Sequence, residues 1–290
     1  MTEKVNKRLT SISMACIIQP KAPVPVFWED SMEQSFIRVL GSADWHQTAY
    51  NDHSCYTICD KILIDACPSV VTQLLEHDVD PLNIRTVCFT HMHCDHYMGL
   101  APLLHYRRVC RDRNLGDLTI VGPKATVRKF VMKALDFVFD THINESVTVM
   151  PRIIEVGGGD AVDIPGFHID VLDGDHPTPD VCYRITDLSN SHVIGLTGDT
   201  RYLPTFGAFF HDVDLLVHEA SYGGTSIPEE QNTSKHSSAA EAVRVCKESG
   251  AKRLLLTHSY EPKRPAALKT AHRGLDIPVE WAVPHHTFPF

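Results

Sequence analysis

No C-x-x-C pair, no apolar run of membrane-spanning length and no surplus of basic charge occur in these 290 residues. The nine cysteines are odd in number and scattered. That argues against a disulfide framework and fits reduced, mostly buried thiols in a cytoplasmic protein. A membrane-crossing helix needs about 20 predominantly apolar residues in a row, and nothing here approaches that. The apolar run Met14-Ala15-Cys16-Ile17-Ile18, after Lys4, Lys7 and Arg8, is too short for the core of a signal peptide. A formal net charge of −9 argues against broad, non-specific binding to nucleic acid or to an anionic membrane, while leaving room for a local basic patch. Low-complexity linkers and internal repeats are also missing. What remains is an ordinary soluble globular composition, 43% apolar and 22% charged, which supports an ample core.

The first 33 residues, with Pro20, Pro23 and Pro25 closely spaced, read as an N-terminal extension, and residues 34–290 as one domain. Residues 35–40 predict a strand ended by Gly41. A hairpin of 54–59 and 62–65 follows, turning at Asp60-Lys61. Val71, Leu74 and Leu75 mark a short helix, 85–90 a strand, 97–108 a helix and 118–121 a strand. Over 124–139, Val127, Phe130, Val131, Ala134, Leu135 and Val138 keep the spacing of a helix with one buried face. Further strands are expected near 153–156, 167–172, 181–185, 192–197, 213–218 and 253–257, with a last one at 279–283. Ser238-x-x-Glu241 has the form of a capping box, opening a helix with Ala239, Ala242, Val243 and Cys246 on one face.

One stretch organises the chain. Thr90-His91-Met92-His93-Cys94-Asp95-His96 places three imidazoles and a carboxylate directly after the apolar run Val87-Cys88-Phe89. Neutral imidazole nitrogens and carboxylate oxygens are the ligand set of zinc-like divalent ions. A strand that stops at Phe89 and opens into a tight loop turns His91 and His93 onto one ion, and Asp95 and His96 toward a neighbouring position. Other polar residues also close apolar, strand-like runs: Asp199 after Leu196-Thr197-Gly198, His218 after Leu215-Leu216-Val217, and His258 after Leu254-Leu255-Leu256-Thr257. A layered sheet bringing such ends to one edge gathers them into one pocket.

With these motifs, residues 36–283 resemble the metallo-β-lactamase superfamily, and within it the ribonuclease-Z-like branch. The resemblance rests on T-H-M-H-C-D-H (90–96), D-G-D-H (173–176), T-G-D-T-R (197–201), H-E-A-S (218–221), H-S-S-A-A (236–240) and L-T-H-S (256–259). It implies an α/β fold, a four-layer αββα sandwich, carrying two divalent metal ions, zinc first and manganese as the alternative. It further implies that His91, His93 and His176 hold one ion, that Asp95, His96 and His258 hold the other, and that Asp199 bridges them. Asp95 would also orient or deprotonate the attacking water, His236 would donate a proton to the leaving oxygen, and Glu219 would tune His236. Asp65 would brace the metal loop. His218 reads as structural, and His285 and His286 as surface residues. A glutamate stands in di-iron electron-transfer relatives where this chain has His93, which argues against redox use of iron.

The resemblance fails at one place. Short ribonuclease Z enzymes insert a long Gly/Pro-rich arm between the third histidine ligand and the bridging aspartate, and here only residues 177–198 separate His176 from Asp199. Two strands and a turn fill that interval, so a substrate smaller than tRNA is expected: a small-molecule or nucleotide ester, with RNA as a further candidate. The leading function is a metal-dependent phosphodiesterase. Its rivals are tRNA 3′-end processing, which would need a basic grip from elsewhere such as residues 1–33, and hydrolysis of a lactone, thioester, sulfate ester or β-lactam. A non-catalytic metal-binding protein is a further class, disfavoured by the completeness of the ligand set. A homodimer is expected from resemblance alone, and no membrane association is expected.

Overall fold

The computed structural model describes residues 34–111, 113–139 and 148–290. The extension read at residues 1–33 lies outside them. Within the compact unit Glu33–Phe290 the described residues build two sheets. The first is 8-stranded: β1 (Phe36–Ala43), β2 (Asp52–His53), β3 (Cys55–Ile58), β4 (Ile62–Ile64), β5 (Thr86–Cys88), β6 (Thr119–Pro123), β7 (Arg152–Val156) and the C-terminal β15 (Thr287–Pro289). The second is 7-stranded: β8 (Ala161–Ile164), β9 (Phe167–Asp173), β10 (Val181–Asp187), β11 (Val193–Leu196), β12 (Leu215–Glu219), β13 (Leu254–Thr257) and β14 (Val279–Trp281). Helices α1 (Val70–Glu76), α2 (Cys94–Tyr97), α3 (Leu100–Cys110) and α4 (Val127–Phe139) belong with the first sheet. Helices α5 (Phe206–Phe209), α6 (Ala239–Ser249) and α7 (Arg264–Gly274) belong with the second.

Alternation along the strands builds the layers. In β4, Ile62 and Ile64 enter the core between the sheets, while Leu63 packs outward against the helices. In β12, Leu215 and Val217 point inward and Leu216 outward. The central core joins Ile37, Val39 and Val121 to Phe167, Tyr183 and Leu255. One outer core sets Val87 and Ile120 against Leu74, Leu104, Val131 and Leu135, and the other sets Leu254 and Leu256 against Phe206, Val245 and Ala271. Strands buried on both faces read as unbroken apolar runs, which is why Leu254-Leu255-Leu256 shows no polar alternation. The architecture is the αββα sandwich that the motifs imply.

Three differences from the sequence reading have physical causes. The first strand does not end at Gly41 but runs on to Ala43, with a register shift beyond Val39. A Cβ at Gly41 would sit 2.2 Å from the His53 carbonyl, so glycine here serves close strand approach. The helix expected over 97–108 is two, α2 and α3, parted at Met98-Gly99, where a Cβ on Gly99 would meet the Cys67 carbonyl at 2.0 Å. The strand near 279–283 is not the last, because β15 returns to pair with β1 in the other sheet. Helix α7 carried little sequence signal because it buries only Ala267 and Ala271.

Candidate metal centre

Strands β4, β5, β6 and β7 run parallel in one sheet, and β11, β12, β13 and β14 in the other. Parallel strands expose their carboxyl ends along one edge. Asp65 follows β4, His91 follows β5, Asp199 follows β11, Glu219 ends β12 and His258 follows β13. His176 comes from the β9–β10 connection. The edge turns sharply where these residues sit: Asp65 and His258 adopt φ of 55° and 49°, and Gly198 one of 61°. Every candidate from the first motif, from D-G-D-H, from T-G-D-T-R and from the final L-T-H is therefore delivered to one place.

Two donor sets form there. In the first, His93 Nδ1 lies 3.1 Å from both His91 Nε2 and His176 Nε2. In the second, His96 Nε2 and His258 Nε2 lie 3.4 Å apart, with Asp95 Oδ2 at 3.7 and 3.8 Å from them. Asp199 Oδ2 sits between the sets, 3.3 Å from His96 Nε2, 3.2 Å from His258 Nε2 and 3.8 Å from His91 Nε2. Each of the groups His91/His93/His176, Asp95/His96/His258 and His91/His96/Asp199 keeps its ligand atoms within 4.8 Å of one another.

The donor chemistry fits a cation. Asp65 Oδ2 accepts from His96 Nδ1 at 2.8 Å, which turns the His96 Nε2 lone pair toward Asp199. Ser221 Oγ donates to Glu219 Oε2 and accepts from His258 Nδ1 at 2.9 Å, which does the same for His258. These are the outer hydrogen bonds that fix the tautomer of a metal-ligating histidine. Burial holds His91 well below the ordinary histidine range, lowers His93, and brings His176 down to about 4, so these three imidazoles are neutral as ligands must be. Burial works against the charge on His96 and His258, but neighbouring carboxylates together outweigh it and raise both, Asp199 with Asp65 for His96 and Asp199 with Asp95 for His258.

His236 and Glu219 flank the second set. His236 Nδ1 faces both Glu219 oxygens at 3.1 and 3.2 Å, and its ring stacks on His258 with centroids 5.6 Å apart. The capping box expected at Ser238 and Glu241 is formed and anchors the residues just after His236. His218, fully buried with Nδ1 on the Glu219 carbonyl, points away from the donor sets. His285 and His286 are exposed, and His285 packs at a tilt against His77, with Nδ1 3.0 Å from its Nε2. Three contributors had no role in the sequence reading. Ser221 was visible only as a motif letter, Thr90 bonds Asp65 through both backbone and hydroxyl, and Asp180 lies buried behind His91.

Comparison with known proteins places the chain among relatives of this fold. A sequence profile described as a beta-lactamase superfamily domain matches residues 60–259. A probable metallo-hydrolase of Bacillus subtilis, YhfI, is 29% identical over 200 residues, covering 68% of this chain and 75% of its own. Its crystal structure, a metallo-beta-lactamase fold protein, superposes with a TM-score of 0.75 at 25% identity over 89% of this chain and 100% of its own. A ribonuclease Z of Streptomyces coelicolor is 25% identical over 266 residues, covering 76% of this chain and 85% of its own. With the profile spanning the motif loop through the last histidine of the cluster, the chain belongs to the metallo-beta-lactamase superfamily and has ribonuclease-Z-like relatives.

Proposed function

We propose that the chain is a metal-dependent hydrolase that holds two divalent ions, zinc by its imidazole-rich donor set, and cleaves phosphodiesters. The observation that supports this most is the meeting of two donor sets at one carboxylate, Asp199, with the His236–Glu219 pair alongside. In this reading His91, His93 and His176 hold one ion, Asp95, His96 and His258 hold the other, and Asp199 serves both. Bound there, the ions supply an acidified water and charge stabilisation for a phosphoryl oxygen.

The chain's own residues do the rest. Asp95 turns Oδ2 toward His96 and His258, which leaves its other oxygen to orient the attacking water or take its proton. His236, kept protonated by Glu219, donates to the leaving oxygen as general acid. Asp65 and Ser221 hold His96 and His258 in the ligating tautomer.

The names of the relatives, metallo-hydrolase and ribonuclease Z, favour hydrolysis, and the second favours a phosphodiester. Substrate size follows from the interval between His176 and Asp199. It is filled by β10 and β11 with only residues 188–192 between them, which leaves no length for an RNA-gripping arm at that point. The natural substrate is then a nucleotide or other small ester.

The test is hydrolysis of bis(p-nitrophenyl) phosphate by zinc- or manganese-loaded protein, with Asp199→Ala and His236→Ala as controls. Turnover lost in both variants supports the reading. No turnover in protein shown to hold two ions sinks it and moves the search to carbonyl and sulfate esters.

A further inference from the structure

Behind His91 lies a carboxylate that neither the motifs nor the donor sets use. Asp180 is 4% exposed, and neither of its oxygens has a hydrogen-bond partner. A buried carboxylate in that state costs stability and calls for an explanation. Its Oδ1 lies 3.6 Å from Nδ1 of His91, the ring nitrogen opposite the one that faces His93 and Asp199. That distance is beyond a hydrogen bond, so the interaction is electrostatic. Thr90 Oγ1, at 3.1 Å from the same nitrogen, has its own proton committed to Asp65 and is left to accept.

The backbone is shaped around this carboxylate. Asp180 pairs with His91 in an isolated antiparallel bridge, and Val181 N–H donates to the Thr90 carbonyl at 2.9 Å, tying the β10 entry to the metal loop. A Cβ on Gly174 would sit 1.8 Å from Asp180 Oδ2, and one on Gly198 3.1 Å from Oδ1. The glycines of D-G-D-H and T-G-D-T therefore make room for one side chain. A structure that excludes side chains at two positions to seat an unpartnered buried carboxyl group uses that group.

We propose that Asp180 is the positioning residue for His91, holding its proton on Nδ1 and its Nε2 lone pair toward the first donor set. It rests on the reading of His91 as a ligand given above. Asp180 is to His91 what Asp65 is to His96, with electrostatics in place of a direct hydrogen bond.

Asp180→Asn, of nearly the same shape, tests this through zinc affinity and stability measured separately. Zinc binding is followed by competition with a chromogenic chelator, and thermal unfolding in excess chelator. The expected result is one of two zinc equivalents weakened about 10- to 100-fold, with a chelated melting temperature no lower than the parent's. Asp65→Asn provides the counterpart, weakening the other equivalent. Two zinc equivalents bound by Asp180→Asn with the parent's affinity overturn the proposal. So does a fall in chelated melting temperature that accompanies the affinity loss, which would mark Asp180 as merely structural. A parent protein that binds no zinc overturns the ligand reading itself, and this inference with it.

Discussion

Nδ1 of His236 stands 3.1 Å from Oε1 and 3.2 Å from Oε2 of Glu219, so one imidazole faces a whole carboxylate that is itself 1% exposed. Burial opposes a charge on His236, but Glu219 outweighs it and raises the histidine to about 9. A folded-state value above the unfolded one means that the pair's contribution to stability is complete below the ordinary histidine range, near 6.5, and is lost as pH rises through about 9. NMR titration of chelator-stripped protein should show His236 charged at neutral pH. In Glu219→Gln the titration should fall back toward the ordinary range, and phosphodiester hydrolysis should drop about 10²-fold or more. An unmoved titration would remove Glu219 from its proposed role.

Asp199 is the residue common to both donor sets. Asp199→Asn keeps the shape but halves the ligating capacity of the carboxylate. Metal content by elemental analysis should fall below the parent's, and hydrolysis should fall by more than the roughly 10- to 100-fold typical of outer partners. Full metal content in this variant would mean that the two sets do not share a bridge.

Metal uptake should release protons. His96 and His258, although burial disfavours their charge, are raised by Asp199 together with Asp65 and Asp95, which favours protons that a ligating nitrogen must give up. Zinc titrations near neutral pH, run calorimetrically in buffers of different ionisation enthalpy, should show net proton release and an affinity that weakens as pH falls. Heats independent of the buffer would contradict the raised protonation of these two rings in the metal-free protein.

Tyr183, fully buried in β10, donates its hydroxyl to the Phe89 carbonyl at 2.6 Å, two residues before His91. This bond links one sheet to the strand that delivers the metal loop of the other. Tyr183→Phe should cost about 1–3 kcal/mol, because a buried carbonyl loses its partner while the packing is kept. Urea unfolding in the presence of chelator measures it, and an unchanged midpoint would show that the link carries no stability.

Much of the candidate centre was legible in the chain because its donor residues follow a rule that leaves a local trace. His91, Asp199 and His258 each close an apolar run, and a run buried on both faces is conspicuous without any alternation to read. The helix over 124–139 and the capping box at Ser238 and Glu241 were legible for the same reason, since each signal spans only a few consecutive residues. Gly41 misled because a glycine that admits a neighbouring backbone looks, in sequence, like one that ends an element, and Gly99 misled the other way, because the close approach of the Cys67 carbonyl leaves no trace in the local helical pattern.

The sequence by itself determined the donor inventory, the strands that carry it, the family and the absence of an arm between His176 and Asp199. Only the tertiary structure decided how those donors divide into two sets around Asp199 Oδ2. It alone placed Asp65 behind His96, Ser221 behind His258 and Asp180 behind His91, and it alone returned β15 to the first sheet. The physical reason is range. Ligand type and strand burial are local properties of a few residues, whereas a tautomer is set by an atom 2.8 to 3.6 Å away in space that belongs to a distant part of the chain.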